Sequence, residues 1–313
     1  MIPKDGGNTL LDLIGRTPLV KLKRLSPKPG IHIFAKLEGG NPSGSVKDRI
    51  VLAMIEAAEE RGELHPGDTI VEASTGNTAI ALALVAKQKG YQVKVVLPRG
   101  VVPSMADILY LYGAEIEWCE PSGGMRGAIE TARSIAQQDR HHELGQFTHE
   151  ANVEAHYRTT GAEIAAAMDR VDVFIAGIGT GGTIMGVGRR LRESSPAVRI
   201  IGVEPRLGER LQGLRSLVEG YIPPLLDLDQ LDGRFLVDSV SAISTARTVV
   251  ETEGIFAGVS SGATLSCALR IAERMESGNI VVMFSDGGWK YLPARPWDAV
   301  GQRDEGLDEV HWW

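Results

Sequence analysis

Lys47 stands just after Asn41-Pro42-Ser43-Gly44-Ser45-Val46 and just before Asp48-Arg49, a few residues beyond the apolar run at 31–37. Pro, Gly and Ser make the stretch a turn, and Ser45 is a good N-cap. The spacing therefore predicts a helix with Val46 at N1 and Lys47 at N2. A helix N-terminus carries partial positive charge, which is a poor place for a cation. That field and burial both favour the neutral form of an amine. A lysine that must be nucleophilic, as in Schiff-base chemistry, gains from both. Taken alone, Lys47 beside Asp48 fits an ordinary solvated lysine as well.

Three further segments could bind ligands. Ser74-Thr75-Gly76-Asn77-Thr78 lies between an apolar run and a helical pattern. Backbone N–H groups at such a junction, with short hydroxyl and amide side chains, form a receptor for a carboxylate. Any one of these residues would also fit a helix cap. Gly177-Ile178-Gly179-Thr180-Gly181-Gly182-Thr183 is a second junction of this kind, where glycines let backbone approach a phosphate. Gly177, Gly179 and Gly182 also spell Gly-x-Gly-x-x-Gly, and Glu204 follows at about the 20-residue spacing of a dinucleotide site. An NAD-dependent dehydrogenase is therefore an alternative on this motif. Against it, Thr180 and Thr183 suit a terminal phosphate monoester, and a dinucleotide gives no role to Lys47 or Asn77. Phe284-Ser285-Asp286-Gly287-Gly288 ends the last strong strand, where ligands of open α/β sheets lie. Ser285 could offer a neutral hydroxyl to a ring nitrogen, although an Asp-Gly turn is the simpler local reading. Gly258-Val259-Ser260-Ser261-Gly262 reads as a turn capping a helix.

The elements that must position these residues alternate between apolar runs and amphipathic helical patterns. Strands are expected at 31–37, 69–73, 93–97, 116–119, 173–176, 198–203 and 280–284, with a short one at 237–240. Helices are expected at 46–60, 79–89, 104–112, 125–138, 153–168, 184–193, 245–253 and 262–275. This alternation predicts an α/β protein with parallel sheets covered by helices on both faces. A polar break at about 138–147 suggests two doubly wound units with a cleft between them.

The bulk composition excludes several classes. The 313 residues carry a formal charge of −7, against a nucleic-acid footprint. No apolar run approaches the ~20 residues of a membrane span, and the first residues hold no signal-peptide core. Cys119 and Cys267 form neither a disulfide framework nor metal-ligand spacing, so no metal is expected and both read as packing residues of a cytoplasmic protein.

Taken in order, the lysine segment, the Gly-Asn-Thr loop and the Gly-Thr-Gly-Gly-Thr loop resemble the fold-type II pyridoxal-phosphate enzymes. More narrowly they resemble the cysteine synthases (O-acetylserine sulfhydrylases) of the B type. The likeness runs from Ile14-Gly15-Arg16-Thr17-Pro18-Leu19 to Trp289-Lys290-Tyr291-Leu292. It implies a smaller mobile domain at 38–147, a larger one at 1–37 and 148–313, an active site in the cleft, and a tail from about 293. It implies pyridoxal 5'-phosphate as cofactor, held by Lys47, which would also be the general base at the substrate Cα. Asn77 would bond the ring hydroxyl. Gly179, Thr180, Gly181, Gly182 and Thr183 would cradle the phosphate, and Ser285 would face the pyridine nitrogen. A hydroxyl there, unlike a carboxylate, does not force protonation, which suits elimination of a β-leaving group. Ser74, Thr75, Gly76, Thr78 and Gln146 would receive the substrate carboxylate.

The reaction implied is β-replacement on O-acetyl-L-serine or O-phospho-L-serine by sulfide, thiosulfate or a thiocarboxylate, giving L-cysteine with ping-pong kinetics. Implied partners are the amino-acid substrate, the sulfur donor, a second copy in a homodimer and a sulfur-carrier protein. A synthase of another β-substituted alanine and a cystathionine β-synthase-like enzyme are the near alternatives.

The chain departs from the family pattern at Ala79, at Met105 and Ala106, at Thr148-His149 and at Pro293-Ala294. His149 reads as a surface histidine. Arg206, Arg210 and Arg215 fall where the B-type enzymes have an entrance segment. An Arg215 fork would suit the phosphate of O-phosphoserine, whereas pairing with Glu209 or Glu219 would make it an ordinary surface residue. The acidic tail ending in Trp312-Trp313 is expected to fray, with docking into a groove as the alternative.

Overall fold

A computed structural model describes residues 9–74, 76–99, 103–120, 124–209, 211–219, 222–299 and 309–312. The chain divides into two compact units, Met1–Gly15 with Asn41–Asn152 and Arg16–Gly40 with Val153–Trp313. The switch points differ by a few residues from the expected 38 and 147. Residues just before Arg16 belong to the first unit, where Gly15 N donates to Asn41 Oδ1 at 2.8 Å.

The second unit begins with β1 (Leu19–Lys21) and β2 (Ile31–Leu37). The first unit then holds α1 (Lys47–Glu60), β3 (Thr69–Ala73), α2 (Asn77–Lys89), β4 (Gln92–Pro98), α3 (Pro103–Tyr112), β5 (Glu115–Cys119), α4 (Gly124–Ile135) and β6 (His141–Glu143). The chain passes into the second unit through α5 (Ala151–His156), a π-helical turn (Tyr157–Gly161) and α6 (Ala162–Ala167). There follow β7 (Val173–Gly177), α7 (Gly182–Ser194), β8 (Arg199–Pro205), β9 (Gly233–Val237), α8 (Ser239–Glu253), α9 (Val259–Arg274), β10 (Gly278–Phe284) and β11 (Glu309–Trp312).

The first unit's sheet has the order β5-β4-β3-β6 and is parallel throughout. Val71 and Ala73 of β3 pack with Val96 of β4 against Ala128 and Ala132 of α4. Helix α2 is buried along its whole stretch from Thr78 to Ala86, the mark of a central rather than a surface helix. It stops at Gly90, whose φ of 82° no other residue adopts cheaply.

The second unit's sheet has the order β1-β2-β10-β7-β8-β9-β11. Its centre is parallel, with Ile280 of β10 opposite Ile33 on one side and Val173 on the other. Only the outermost pairs, β1 with β2 and β9 with β11, are antiparallel. Ile280, Val282 and Phe284 bury against Ala263, Cys267 and Ala268 of α9. Both cysteines are free, and burial pushes both thiols up in pKa, which makes them poor nucleophiles.

Four expectations need correction. The polar break holds a strand, β6, whose His-His-Glu sequence carries no apolar alternation. The single helix expected at 153–168 contains the π turn, where Gly186 of α7 lies so close that a Cβ there would fall 2.7 Å from His156 Cβ. The strand expected at 237–240 lies earlier, as β9, because Gly233, Phe235 and Val237 are the buried alternates. Asp238 is instead the N-cap of α8, accepting from Ser241 N at 2.7 Å. Finally, Glu309–Trp312 of the tail is an edge strand paired with β9. Trp313 lies outside the described residues, as does Arg210. Among the described residues no helix is long and apolar enough to cross a membrane.

Candidate active site

In the first unit, Lys47 is the first residue of α1 and is half-buried; Val46 rather than Ser45 occupies the N-cap position. Ser45 still serves the helix, since its Oγ accepts from Lys47 N at 3.3 Å. The turn that delivers Lys47 is locked from both sides. Gly44 adopts φ of 80° and its N–H donates to Asn41 O at 2.8 Å. Asp48, fully buried, accepts from Ser43 N at 2.7 Å and from the Ser43 hydroxyl. Asp48 is therefore an internal clasp, not the solvated neighbour that a surface lysine would have.

The Ser-Thr-Gly-Asn-Thr segment joins β3 to α2. Gly76 is the N-cap, and Asn77, half-buried, is the first helical residue. Ser74 Oγ accepts from Gly76 N and Ala79 N, each at 3.3 Å, and so does the capping that Gly76 cannot. Thr75 lies outside the described residues. Thr78 donates its hydroxyl to Gln146 Oε1 at 2.7 Å, and Gln146 Nε2 donates to Glu72 Oε1 at 3.0 Å and to Ala73 O at 3.2 Å. Thr78, Gln146 and Glu72 are all buried. Sequence reasoning does not find Glu72, because a glutamate in mid-strand looks like an outward-facing residue. Burial pushes its carboxyl up to about 7, against the pull of the Gln146 N–H groups. His149 is half-buried, with Arg61 Nη2 3.0 Å from its Nε2, and burial with that guanidinium lowers its pKa.

In the second unit, Gly177 ends β7 and Gly182 begins α7, so the Gly-Thr-Gly segment forms the junction. Gly181, the N-cap, has φ of 89°, and a Cβ there would lie 2.9 Å from Leu226 Cβ. The N-cap glycine has no side chain to cap with, and no acid sits in the first turn. Thr180 is buried with its Oγ1 3.4 Å from Gly182 N. Thr183 Oγ1 is 3.0 Å from Nε2 of His156, which is fully buried and has Thr160 Oγ1 3.0 Å from its Nδ1. Nothing in the sequence points to His156, since its partner Thr183 lies on α7, 27 residues away. Ser285, half-buried, follows β10, and the next residue anchors it. Asp286 accepts from the Tyr291 hydroxyl at 2.7 Å, and its carbonyl accepts from Gly258 N at 3.1 Å. Arg215 N donates to Ile178 O at 2.8 Å, which ties the arginine loop to the phosphate-type loop.

Glu204 does not serve as a dinucleotide's acidic residue. It is fully buried, and its carboxylate accepts from Leu217 N at 2.6 Å and Arg234 Nη1 at 3.1 Å. Both oxygens work inside the fold.

The model of the pyridoxal-phosphate dependent enzymes matches residues 10–286. The chain belongs to the pyridoxal-phosphate-dependent enzyme family. It is 42% identical over 286 residues to cysteine synthase B of Salmonella typhimurium, covering 91% of this chain and 94% of that protein. Among solved structures, O-ureido-L-serine synthase is similar with a TM-score of 0.89 and 37% identity, over 95% of this chain and 97% of that one. Cysteine synthase of Entamoeba histolytica has a TM-score of 0.88 and 32% identity, over 98% of this chain and 94% of that one. The family's cofactor is pyridoxal phosphate, and the donor chemistry fits it. The start of α7, with glycines, two threonine hydroxyls and no first-turn carboxylate, has the donor chemistry that a phosphate needs. The family match removes the dehydrogenase alternative that the glycine pattern had left open.

Proposed function

We propose that the chain is a cysteine synthase of the B type. It forms L-cysteine by β-replacement on O-acetyl-L-serine or O-phospho-L-serine. The observation that carries this reading is Lys47 at the first position of α1, on a turn clasped by Asp48. In a chain similar to cysteine synthase B, that lysine is the residue to hold the cofactor.

Pyridoxal phosphate, when bound, supplies an electron sink that weakens bonds at the amino acid's Cα. Gly179, Thr180, Gly181, Gly182 and Thr183 would hold its phosphate, Asn77 its ring hydroxyl, and Ser285 its pyridine nitrogen. Ser74, Thr75 and Gly76 would receive the substrate carboxylate, with Thr78 and Gln146 behind them. Lys47 takes the proton from Cα and later returns it there. A sulfur nucleophile enters at Cβ after the leaving group has gone. Purified protein should absorb in the visible, and Lys47→Ala should abolish both the lysine-linked band and turnover. A wild-type protein that stays colourless with added pyridoxal phosphate would overturn the reading.

Arg215 supports use of O-phospho-L-serine, because its loop is tied to Ile178 and a guanidinium matches a phosphate bidentately. Arg215→Ala should lose activity on O-phosphoserine selectively; equal loss on both donors, or none, refutes this role. The sulfur source is sulfide, thiosulfate or a carrier-bound thiocarboxylate, and the enzyme acts in the cytoplasm as a homodimer.

A second reading is synthesis of another β-substituted alanine, favoured by the structural likeness to O-ureido-L-serine synthase. Competing sulfide against oxygen nucleophiles in one assay separates the two.

A further inference from the structure

The reading above leaves Glu72 without a role. It sits in β3, two residues before Ser74, and is 3% exposed. Burying a carboxyl is costly, and a strand position beside a ligand loop could be filled by valine at no such cost. The geometry shows what the carboxyl does. Gln146 has two amide hydrogens, and both are engaged, one by Glu72 Oε1 at 3.0 Å and one by Ala73 O at 3.2 Å. Glu72 Oε2 also faces Gln146 N at 3.4 Å. These acceptors define which end of the amide is which. The amide oxygen then points to Thr78, and the Thr78 hydroxyl must donate to it, at 2.7 Å.

We infer that Glu72 is a positioning residue for the substrate carboxylate: through Gln146 it fixes the direction of the Thr78 hydroxyl at the start of α2. This deepens the proposed function and rests on the Ser74–Thr78 loop receiving an amino-acid carboxylate. With the Thr78 hydrogen turned inward, the carboxylate is received by the Ser74 hydroxyl and the backbone N–H groups at the start of α2. Thr78 serves as their rigid backing.

The ionised carboxylate is the form matched to this task. Every group that faces it from Gln146 is an N–H donor, so a proton would take away acceptor capacity and weaken the charge-assisted bonds that hold the amide. The neighbouring elements do not replace the charge. Val95 of β4 is opposite Glu72 in register, Thr78 comes from α2, and α4 covers β3 with Ala128 and Ala132. Glu143 on β6 is a like charge that adds to the rise in its pKa.

The experiment uses the holoenzyme with O-acetyl-L-serine, in wild type, Glu72→Gln and Thr78→Val, from pH 6 to pH 9. Glu72→Gln places an NH2 against the Gln146 donors. Its KM at pH 8 should rise about tenfold, with kcat within about twofold, the scale of one hydrogen bond to a charged group. The gap between wild type and variant should close toward pH 6, where wild-type Glu72 has taken up its proton. A merely structural role would give a gap that does not change with pH, or equal losses in kcat and KM, and either result overturns the inference. If Glu72→Gln fails to fold, Thr78→Val cuts the same relay at its other end, and an unchanged KM there overturns it. Binding of L-alanine and of L-alaninol, followed by the cofactor's absorption, separates this from failure of the function itself. If wild type does not prefer the carboxylate-bearing ligand, the assignment of the loop is wrong, and the relay has no substrate to position.

Discussion

The buried carboxyl of Glu72 makes stability depend on pH in a direction opposite to that of most acidic residues. Its pKa rises from an ordinary 4.5 to about 7 on folding, with burial as the main cause. Between those values the folded chain holds a proton that the unfolded chain has lost. Stability therefore falls as pH rises through this window and falls no further above it, as far as this group is concerned. At about 1.36 kcal/mol per pKa unit, the full loss is roughly 3 kcal/mol. Glu72→Gln carries no charge at any pH and should lack this slope. Urea unfolding at several pH values from 4.5 to 8.5, at constant ionic strength, reads the difference between wild type and variant, in which other titrating groups cancel. Whatever its sign at pH 4.5, that difference should move by about 3 kcal/mol in the variant's favour by pH 8. In melting temperature this is roughly 6–12 °C for a domain of ordinary size. Parallel curves across the whole range would show that Glu72 titrates normally, and would remove the physical basis for its role behind Thr78.

Gly181→Ala should cost at least about 2 kcal/mol, because it combines a left-handed backbone with a Cβ placed 2.9 Å from Leu226. A melting temperature equal to wild type would show that the loop relaxes freely. Thr183→Val leaves the buried His156 Nε2 without its hydroxyl partner and removes a phosphate donor. Cofactor affinity should drop roughly 10- to 100-fold, measured by dialysis and reconstitution, and unchanged retention would refute the loop assignment. Asp48→Asn puts an NH2 against one of two Ser43 donors and loosens the turn before Lys47. It should lower stability by about 1–2 kcal/mol and slow turnover, whereas an unaltered kcat would show that the clasp does not matter to the lysine.

Where burial follows apolar period, the elements are legible in the sequence. Strands 31–37 and 69–73 agree residue for residue, and α2 stops at Gly90 as expected. What is hidden depends on partners distant in sequence. Residues 141–143 are a strand only because β3 offers an edge to pair with, and nothing in His-His-Glu announces it. Asp238 is legible in principle as an N-cap. Its neighbours obscure it, since Val237 and Val240 set among serines mimic a strand, while Asp238 already accepts from Ser241 N. The ligand loops show the same division. Lys47, Asn77 and the glycines stand out as candidates by type and place. Glu72 and His156 are bonded to Gln146 and Thr183, and those pairs exist only after folding.

Three helix starts carry the proposed chemistry, and their charges differ in a way that supports the proposed assignments. Helices α1, α2 and α7 all begin without a capping side chain at the N-cap residue itself. The first turns of α2 and α7 hold no acidic residue; the Ser74 and Thr180 hydroxyls accept there, but no carboxylate in either first turn answers the helix field. An anion placed there gains about 0.3–1 kcal/mol, and up to about 2 when partly buried. Those are the two ends given to anions, the substrate carboxylate and the cofactor phosphate. The first turn of α1 differs, since it carries Asp48, buried and committed to Ser43. Its charge answers the helix field from within, and α1 is the helix that begins with the lysine. A cation at either of the other two starts would meet the bare field, and an anion at the start of α1 would meet Asp48. The lysine and the two anion receptors are therefore not interchangeable among the three junctions, although all three look alike as strand-to-helix turns.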